Sequence, residues 1–389
     1  MAIILFDNQF RKKLFPLTAT KAVADLRIGI LKRKEWWQLK TNQPILVHTE
    51  NYLQPLYGSI PTADNIWVDA SIIANDDLLD RIVSLDINEA LADETGLIAG
   101  RLTIDANSFI ANSSLQHFEK VIDYSGTRRI EYPQQIFQWN DEAIKSHFKL
   151  LTHGKTSQPI SSTNQVSSPE NIFIEEGANI EFSILNASTG PIYIGKDATI
   201  LEGCLIRGPF ALCEGATLKM GAKVYGATTI GIKSVGGGEI KNSIISDYSN
   251  KAHDGYLGDS VIGEWCNLGA GSTNSNVKNN ASDVKLWNYY TNAYEPTGLK
   301  CGVIMGDYSR TAINSSINTG SSIGVCCNVF GEGLLPTLIQ DFSWGTKNSS
   351  KYNFDKALQD INNWKKLKGK VLSNEEVSML KYIFEQVHQ

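Results

Sequence analysis

Every sixth residue from Ile194 to Ile230 is aliphatic: Ile194, Ile200, Ile206, Leu212, Leu218, Val224 and Ile230. Four residues after the first six of these stand Ala198, Cys204, Phe210, Ala216, Ala222 and Thr228, all small but Phe210. The count resumes at Ile244, slips at the polar Asn250 and continues through Tyr256, Ile262 and Leu268; a third run reads Met305, Thr311, Ile317, Ile323 and Val329. A period of six with one aliphatic and one small residue fits a chain wound into a three-sided prism, three hexads to a coil. The aliphatic side chain fills the interior and the small residue lets the backbone turn a corner. A β-sandwich competes poorly, since its turn signals recur every ~8–12 residues on longer strands. The expectation is a parallel β-helix over residues 171–335.

Glycine follows the same asymmetry, with 32 residues concentrated after position 177. Residues 1–152 read differently, alternating strand-like "AIILF", "PILVH", "IWV" and "LIAGRLTI" with helix-like stretches such as "NDDLLDRIVSLDINEALAD". That is an α/β, Rossmann-like pattern. The polar Ser/Thr-rich stretch at 153–170 has linker composition. Residues 336–389 read as a helical tail: "NFDKALQDINNWKKLK" is amphipathic, and Ser373 with Glu376 forms a capping box ahead of the last helix. The length of 389 residues accommodates two or three domains of about 150 residues each.

A formal charge of -5, from 36 Lys+Arg and 41 Asp+Glu, gives no bulk field for nucleic acid or an anionic membrane. No apolar run reaches the ~18 residues needed to span a bilayer, and "MAIILF" passes to Asp7 without a signal-peptide layout. A cytoplasmic location is expected. The six cysteines show no CxxC pair or zinc-finger spacing and read as reduced, buried fillers.

Two constellations carry chemistry. In residues 11–34, Arg11, Lys12, Lys13, Lys21, Arg27, Lys32, Arg33 and Lys34 follow the first strand against one acid, Asp25. A basic loop at a strand's carboxyl end suits a phosphate-bearing ligand; a solvated charged face is the alternative. Within it, "LFPLT" resembles the "RLxPLT" loop of sugar-1-phosphate nucleotidyltransferases. The resemblance implies that Lys13 and Thr18 hold a nucleoside triphosphate, with Lys21 or Arg27 on the sugar phosphate. It also implies Mg²⁺ across the phosphates, with metal ligands unassigned beyond Asp69 in "IWVDAS" as a candidate. The family's glycines are replaced here by "FDNQFRKK".

The second is "KAHDGYLGDSVIGEWCNLGAGSTNSN", residues 251–276, where a histidine sits beside Asp254 and an amide-rich stretch follows. An imidazole can take a proton from an amine attacking a thioester. The stretch resembles the acetyltransferase half of the bifunctional N-acetylglucosamine-1-phosphate uridyltransferase/glucosamine-1-phosphate acetyltransferase family, and more closely its variant two-domain bacterial form. The resemblance implies a left-handed β-helix, with His253 as general base and Lys241, Tyr256 and Asn267 on the sugar phosphate. It places Ala270 and Asn276 on acetyl-CoA, and leaves Lys219 and Lys223 both open as counterparts of a sugar-phosphate arginine. It further implies amides near Gly269–Gly271 on the thioester carbonyl. Sites between subunits of a homotrimer are implied as well, which the aromatic stretch 276–300 would reach. The expected function is sugar-nucleotide synthesis by coupled nucleotidyl and acetyl transfer. The alternative is a single-activity enzyme, thymidylyltransferase-like or acetyltransferase only, whose N-terminal domain is a nucleotide-binding scaffold.

Overall fold

The computed structural model describes residues 1–346 and 351–386. Residues 347–350 and 387–389, part of the stretch read as a helical tail, lie outside the described residues.

The N-terminal half is built on a six-stranded sheet with helices packed against it. Its first strand, Ile3–Phe6, is buried on both faces and pairs in parallel with the edge strand Ile45–His48 on one side and Asp64–Asp69 on the other. Gly96–Thr103 follows antiparallel to Asp64–Asp69, then Glu89–Asp93 antiparallel to it, with Lys120–Asp123 parallel to Glu89–Asp93 at the edge. The helices here are α1 (Arg33–Thr41), α2 (Asp76–Val83), α3 (Gln134–Gln138) and α4 (Asn140–Thr152). The stretch "NDDLLDRIVSLDINEALAD", read as helical throughout, splits. Asn75 caps α2 by accepting the Leu78 N–H at 2.8 Å, the helix stops at Val83, and Glu89–Asp93 joins the sheet. Its leucines have helical spacing only as far as the buried Ile82; beyond Asn88, with φ 63°, the sheet claims the alternating residues.

The second half is a parallel β-solenoid with three faces. The first face has nine strands, from Ile172–Ile174 to Leu338–Ile339; the second has eight, beginning at Asn179–Ile180; the third has six, beginning at Gln165–Ser167. Strands of two or three residues turn at corners, so one side chain per strand points inward. Ile194, Ile200, Ile206, Leu212, Leu218, Val224 and Ile230 are all buried, and the small residues at the corners are buried with them. Each aliphatic side chain so buried stabilises by about 1.5–3 kcal/mol.

After Ile230 the period breaks differently from the sequence reading. The inward residues become Gly236, Ile240, Ile245, Lys251, Leu257, Ile262 and Leu268, paired coil to coil. Ile245, not Ile244, fills the interior; Lys251 stands where Asn250 was expected, and Leu257 where Tyr256 was. Shortened corners shift the register by one, which in a strand moves a side chain to the other face. Ile244 faces outward and joins the core of the N-terminal domain.

Two boundaries also differ in detail. Gln165–Ser167, inside the stretch read as linker, already pairs with Ile184–Asn186, and Leu338–Ile339 pairs with the strand Ser321–Ile323 beyond residue 335. The stretch 276–300, expected to reach a neighbouring subunit, forms a hairpin of Val284–Asn288 and Ala293–Gly298 that packs on its own chain. Tyr290 meets Phe10 edge-on at 5.7 Å, Tyr289 meets Phe15 at 5.9 Å, and Gln138 Nε2 donates to Thr297 O at 3.3 Å.

The two halves share a core: Ile244, Val261 and Ile304 of the solenoid pack with Leu14, Leu17, Ile28 and Phe137. Helices α5 (Phe354–Lys366) and α6 (Asn374–Gln386) close a third cluster with Leu53, Tyr308, Val325 and Phe342. The Ser373–Glu376 box forms: Glu376 N–H donates to Ser373 Oγ at 3.2 Å, and Ser373 N–H to Glu376 Oε2 at 2.9 Å.

Candidate active sites

In the N-terminal domain the chain runs from strand Ile3–Phe6 first to one neighbour and then to the other, leaving a switch point beside it. Crevices at such points, outside the carboxyl ends of the strands, are where open α/β sheets bind ligands. A cleft of about 680 Å³ lined by Asp7, Thr49 and Asn107 opens there, beside one of about 280 Å³ lined by Asn8, Phe10, Asp69 and Gly96. In place of a glycine loop, side chains hold the backbone. Asn8 Oδ1 accepts the Phe10 N–H at 2.8 Å, and Arg11 Nε pairs with Asp7 at 3.0 Å while its Nη2 reaches Thr18 O.

The expected nucleotide residues separate. Lys13 Nζ stands 4.6 Å from the Phe10 ring and 5.4 Å from that of Tyr132, and no carboxylate pairs with it among the described residues. Thr18 is buried, its hydroxyl donating to Arg11 O at 3.1 Å. Lys21 and Arg27 point into the domain interface. Lys21 Nζ lies 3.0 Å from Asp307 and 3.3 Å from Glu264, and Arg27 makes a two-pronged pair with Asp247 at 3.1 and 3.2 Å. Burial alone would lower Arg27; the Asp247 carboxylate outweighs it and holds the guanidinium above its ordinary value. The basic run thus clamps the two halves together. Sequence reading missed the acids on the solenoid because each sits at a corner, far away along the chain.

Asp69 ends its strand in the crevice, but its acceptor positions are filled. Oδ1 takes the Ser71 N–H and hydroxyl at 2.9 and 2.7 Å, and Oδ2 takes Asn8 Nδ2 at 2.9 Å and Arg129 Nε at 3.2 Å. No group of three His, Cys, Asp or Glu that could hold a metal ion exists among the described residues. Asp69, the candidate ligand, is thus fully engaged by protein donors.

On the solenoid, the corner between the second and third faces stacks Gly237–Gly238, His253 and Ala270 in successive coils. Adjacent strands of a sheet lie about 4.8 Å apart, so His253 and Ala270 are neighbours along this edge. His253 is exposed. Its carbonyl oxygen accepts from the inward-pointing Lys251 Nζ at 2.5 Å, and the same ammonium donates to Gly237 O at 2.9 Å. Burial pushes Lys251 down to about 8, with the Asp254 charge opposing. Gly271 N–H donates to Asp254 O at 3.1 Å and Gly269 N–H to Thr311 O at 3.2 Å. Of the three amides expected to face a thioester, only that of Ala270 donates to nothing among the described residues.

The third face beside this corner carries a polar outer surface. Lys223, Glu239 and Tyr256 are in register across three strands, as are Tyr225, Lys241 and Gly258. Tyr225 donates to Glu239 at 2.6 Å, and Lys241 Nζ lies 5.9 Å from the Tyr225 ring. Asn276 Nδ2 reaches Tyr256 Oη at 3.1 Å and also Asp259, which accepts from Asn242 at 2.7 Å. A Cβ on Gly258 would overlap the Tyr256 ring, so glycine there lets the ring lie across the face. The structure therefore brings Lys241, Tyr256 and Asn276 together, with His253 and Ala270 at the adjoining edge. Asn267 stands on the second face, in register with Asn250 and Arg310. Lys223 lies in the ladder with Tyr256; Lys219 lies at the corner, its Cβ 3.3 Å from where a Cβ of Gly237 would be. Sequence reading missed Tyr225, Glu239 and Lys251; an inward lysine could have been found only by locating the register shift.

Residues 3–156 match the family model described as sugar nucleotidyl transferase. The chain is 28% identical over 170 residues to a bifunctional sugar-1-phosphate nucleotidylyltransferase/acetyltransferase of Sulfurisphaera tokodaii, covering 41% of this chain and 39% of that protein. It is 38% identical over 89 residues to the bifunctional protein GlmU of Methanocaldococcus jannaschii, covering 23% and 21%. To that of Wigglesworthia glossinidia brevipalpis it is 29% identical over 201 residues, covering 46% and 41%. The matches span less than half the length of these relatives. Among solved structures, a GDP-perosamine N-acetyl transferase from Caulobacter crescentus aligns at 11% identity over 70% of this chain and 88% of that chain, with a TM-score of 0.20. The N-terminal half thus carries the sugar nucleotidyl transferase match, and the relatives' names join that transfer to acetyl transfer.

Proposed function

We propose that the chain is a transferase that builds a sugar nucleotide, UDP-N-acetylglucosamine, in two steps. It acetylates glucosamine 1-phosphate on the solenoid and joins the product to UTP in the N-terminal crevice. The observation that carries the reading is the edge bearing His253 and Ala270, flanked by Lys241, Tyr256 and Asn276. Lys241 holds the sugar phosphate, with Tyr256 beside it and Asn267 contributing from around the corner, while Asn276 orients Tyr256 and meets the coenzyme. His253 takes the proton of the amine as its nitrogen bonds to the thioester carbonyl carbon. The Ala270 N–H meets the charge on the carbonyl oxygen; the C–S bond then breaks and the thiolate leaves, regaining the proton. In the crevice the sugar phosphate oxygen attacks the α-phosphorus of UTP and pyrophosphate leaves. Of the four residues expected to meet phosphate, Lys13 has no carboxylate partner among the described residues and would supply the charge, while Thr18 is hydrogen-bonded within the loop and Lys21 and Arg27 hold the domain interface.

Exposed apolar residues Phe182, Ile184, Leu205 and Met220 on and beside the third face support assembly as a homotrimer through the solenoid. Six buried free cysteines support a reducing, cytoplasmic setting, and among the described residues no helix is long and apolar enough to cross a membrane.

The test measures thiol release from acetyl-CoA with glucosamine 1-phosphate, and separately pyrophosphate release from UTP with N-acetylglucosamine 1-phosphate. His253→Ala is expected to lower acetyl transfer by about 10²-fold or more and leave pyrophosphate release unchanged. Unchanged acetyl transfer would remove His253 from its role. A second reading, an acetyltransferase whose N-terminal domain only binds nucleotide, is favoured by the saturated Asp69; it predicts no pyrophosphate from the unmodified protein.

A further inference from the structure

A cavity of about 500 Å³ lies away from both candidate sites, between α1, α4, the start of α2 and the loop around Gly126. That volume is within the range of small-molecule sites. Its walls include Trp36, Trp139 and Tyr124. They also include Arg33, which is 3% exposed and has an unusual environment. Its Nη2 donates to Ile72 O, but Nε is buried without an acceptor, and no carboxylate pairs with it among the described residues. Among the described residues Asp69 is the carboxylate that acts on it, and that group is taken by Arg129, Asn8 and Ser71. Burial pushes the Arg33 guanidinium down to about 10. Arg33 is also the first residue of α1, where the partial positive charge of the helix end disfavours a cation further.

The remaining charges of the cavity cancel. Lys40 pairs with Asp76 at 2.6 Å, and Arg128 pairs with both oxygens of Glu142 at 2.8 and 2.7 Å. His147 is held neutral, because burial and two nearby guanidiniums push it down to about 3 while its Nδ1 faces the N–H groups of Ile30 and Leu31. Arg33 is left as the unneutralised charge. A buried cation without a counter-ion is costly, and an anion entering from the cavity would remove that cost.

We propose that this cavity is a second ligand site, taking a small organic anion whose carboxylate or phosphate pairs with Arg33 and whose flat ring lies against Trp36, the Trp139 ring in the wall being covered by the Arg128 guanidinium at 4.1 Å. The proposal is independent of the two transfer reactions and is read by binding, so neither stands or falls with the other.

The test titrates the full chain with benzoate, phenyl phosphate and benzamidine, three probes sharing a ring, by ligand-observed NMR. Saturable binding of benzoate or phenyl phosphate is expected, at least 10-fold tighter than benzamidine, and whichever anion binds tighter identifies the headgroup. Arg33→Gln is expected to weaken the anion at least 10-fold. Trp36→Leu is expected to weaken it too and serves should Arg33→Gln fail to fold. Equal binding of benzamidine, no saturable binding of either anion, or affinity unchanged in both variants would overturn the proposal.

Discussion

An ammonium in the bore of a β-solenoid replaces an aliphatic side chain at the position where the hexad pattern slips. Lys251 is 2% exposed and donates to two carbonyl oxygens, one of them that of His253. The corner carrying His253 is therefore tied from inside the prism. Burial lowers Lys251 from 10.5 to about 8, so between those values the folded chain holds fewer protons than the unfolded one. Stability should rise with pH across that window. Lys251→Met is expected to flatten this rise, seen as a smaller increase in denaturation midpoint between about pH 8 and 10 than in the unmodified protein. An identical slope would mean that Lys251 titrates as it does in water.

At the scale of one strand, a glycine decides where an aromatic ring lies. Gly258 pairs with Lys241, and the Tyr256 ring occupies the space that a Cβ would need. The obstacle is a side chain rather than backbone, so Gly258→Ala should cost the fold little, within about 1 kcal/mol, while turning Tyr256 away from Asn276. A raised KM for glucosamine 1-phosphate with a near-normal melting temperature is the expected outcome; an unchanged KM would separate Tyr256 from sugar binding. The "YLGD" motif was legible in the sequence, but the physical need for its glycine was not. That need arises from the ring of a residue two positions away, folded back over the strand.

Across the whole molecule, the basic run after the first strand acts as a clamp. Arg27, Lys21 and Lys32 meet Asp247, Glu264 and Asp307 of successive solenoid coils. Removing one partner of a buried pair leaves the other unpaired, so Arg27→Met or Asp247→Asn is each expected to destabilise by about 3–5 kcal/mol in chemical denaturation. The double variant should cost less than the sum. Additive losses would show that the pair is not coupled.

By itself the sequence determined the solenoid, because a six-residue period with small corner residues has almost no other way to bury its aliphatic side chains. It also determined the split into an α/β half and a repeat half, and the clustering of Lys241, His253, Tyr256 and Asn276 within a few coils. Tertiary structure alone decided which residue of each shortened coil points inward, since a one-residue change at a corner exchanges Ile244 for Ile245 and Asn250 for Lys251. It decided likewise that Lys21 and Arg27 meet carboxylates rather than phosphate. Charge partners more than 200 residues apart leave no local pattern, and only the folded chain brings them within reach.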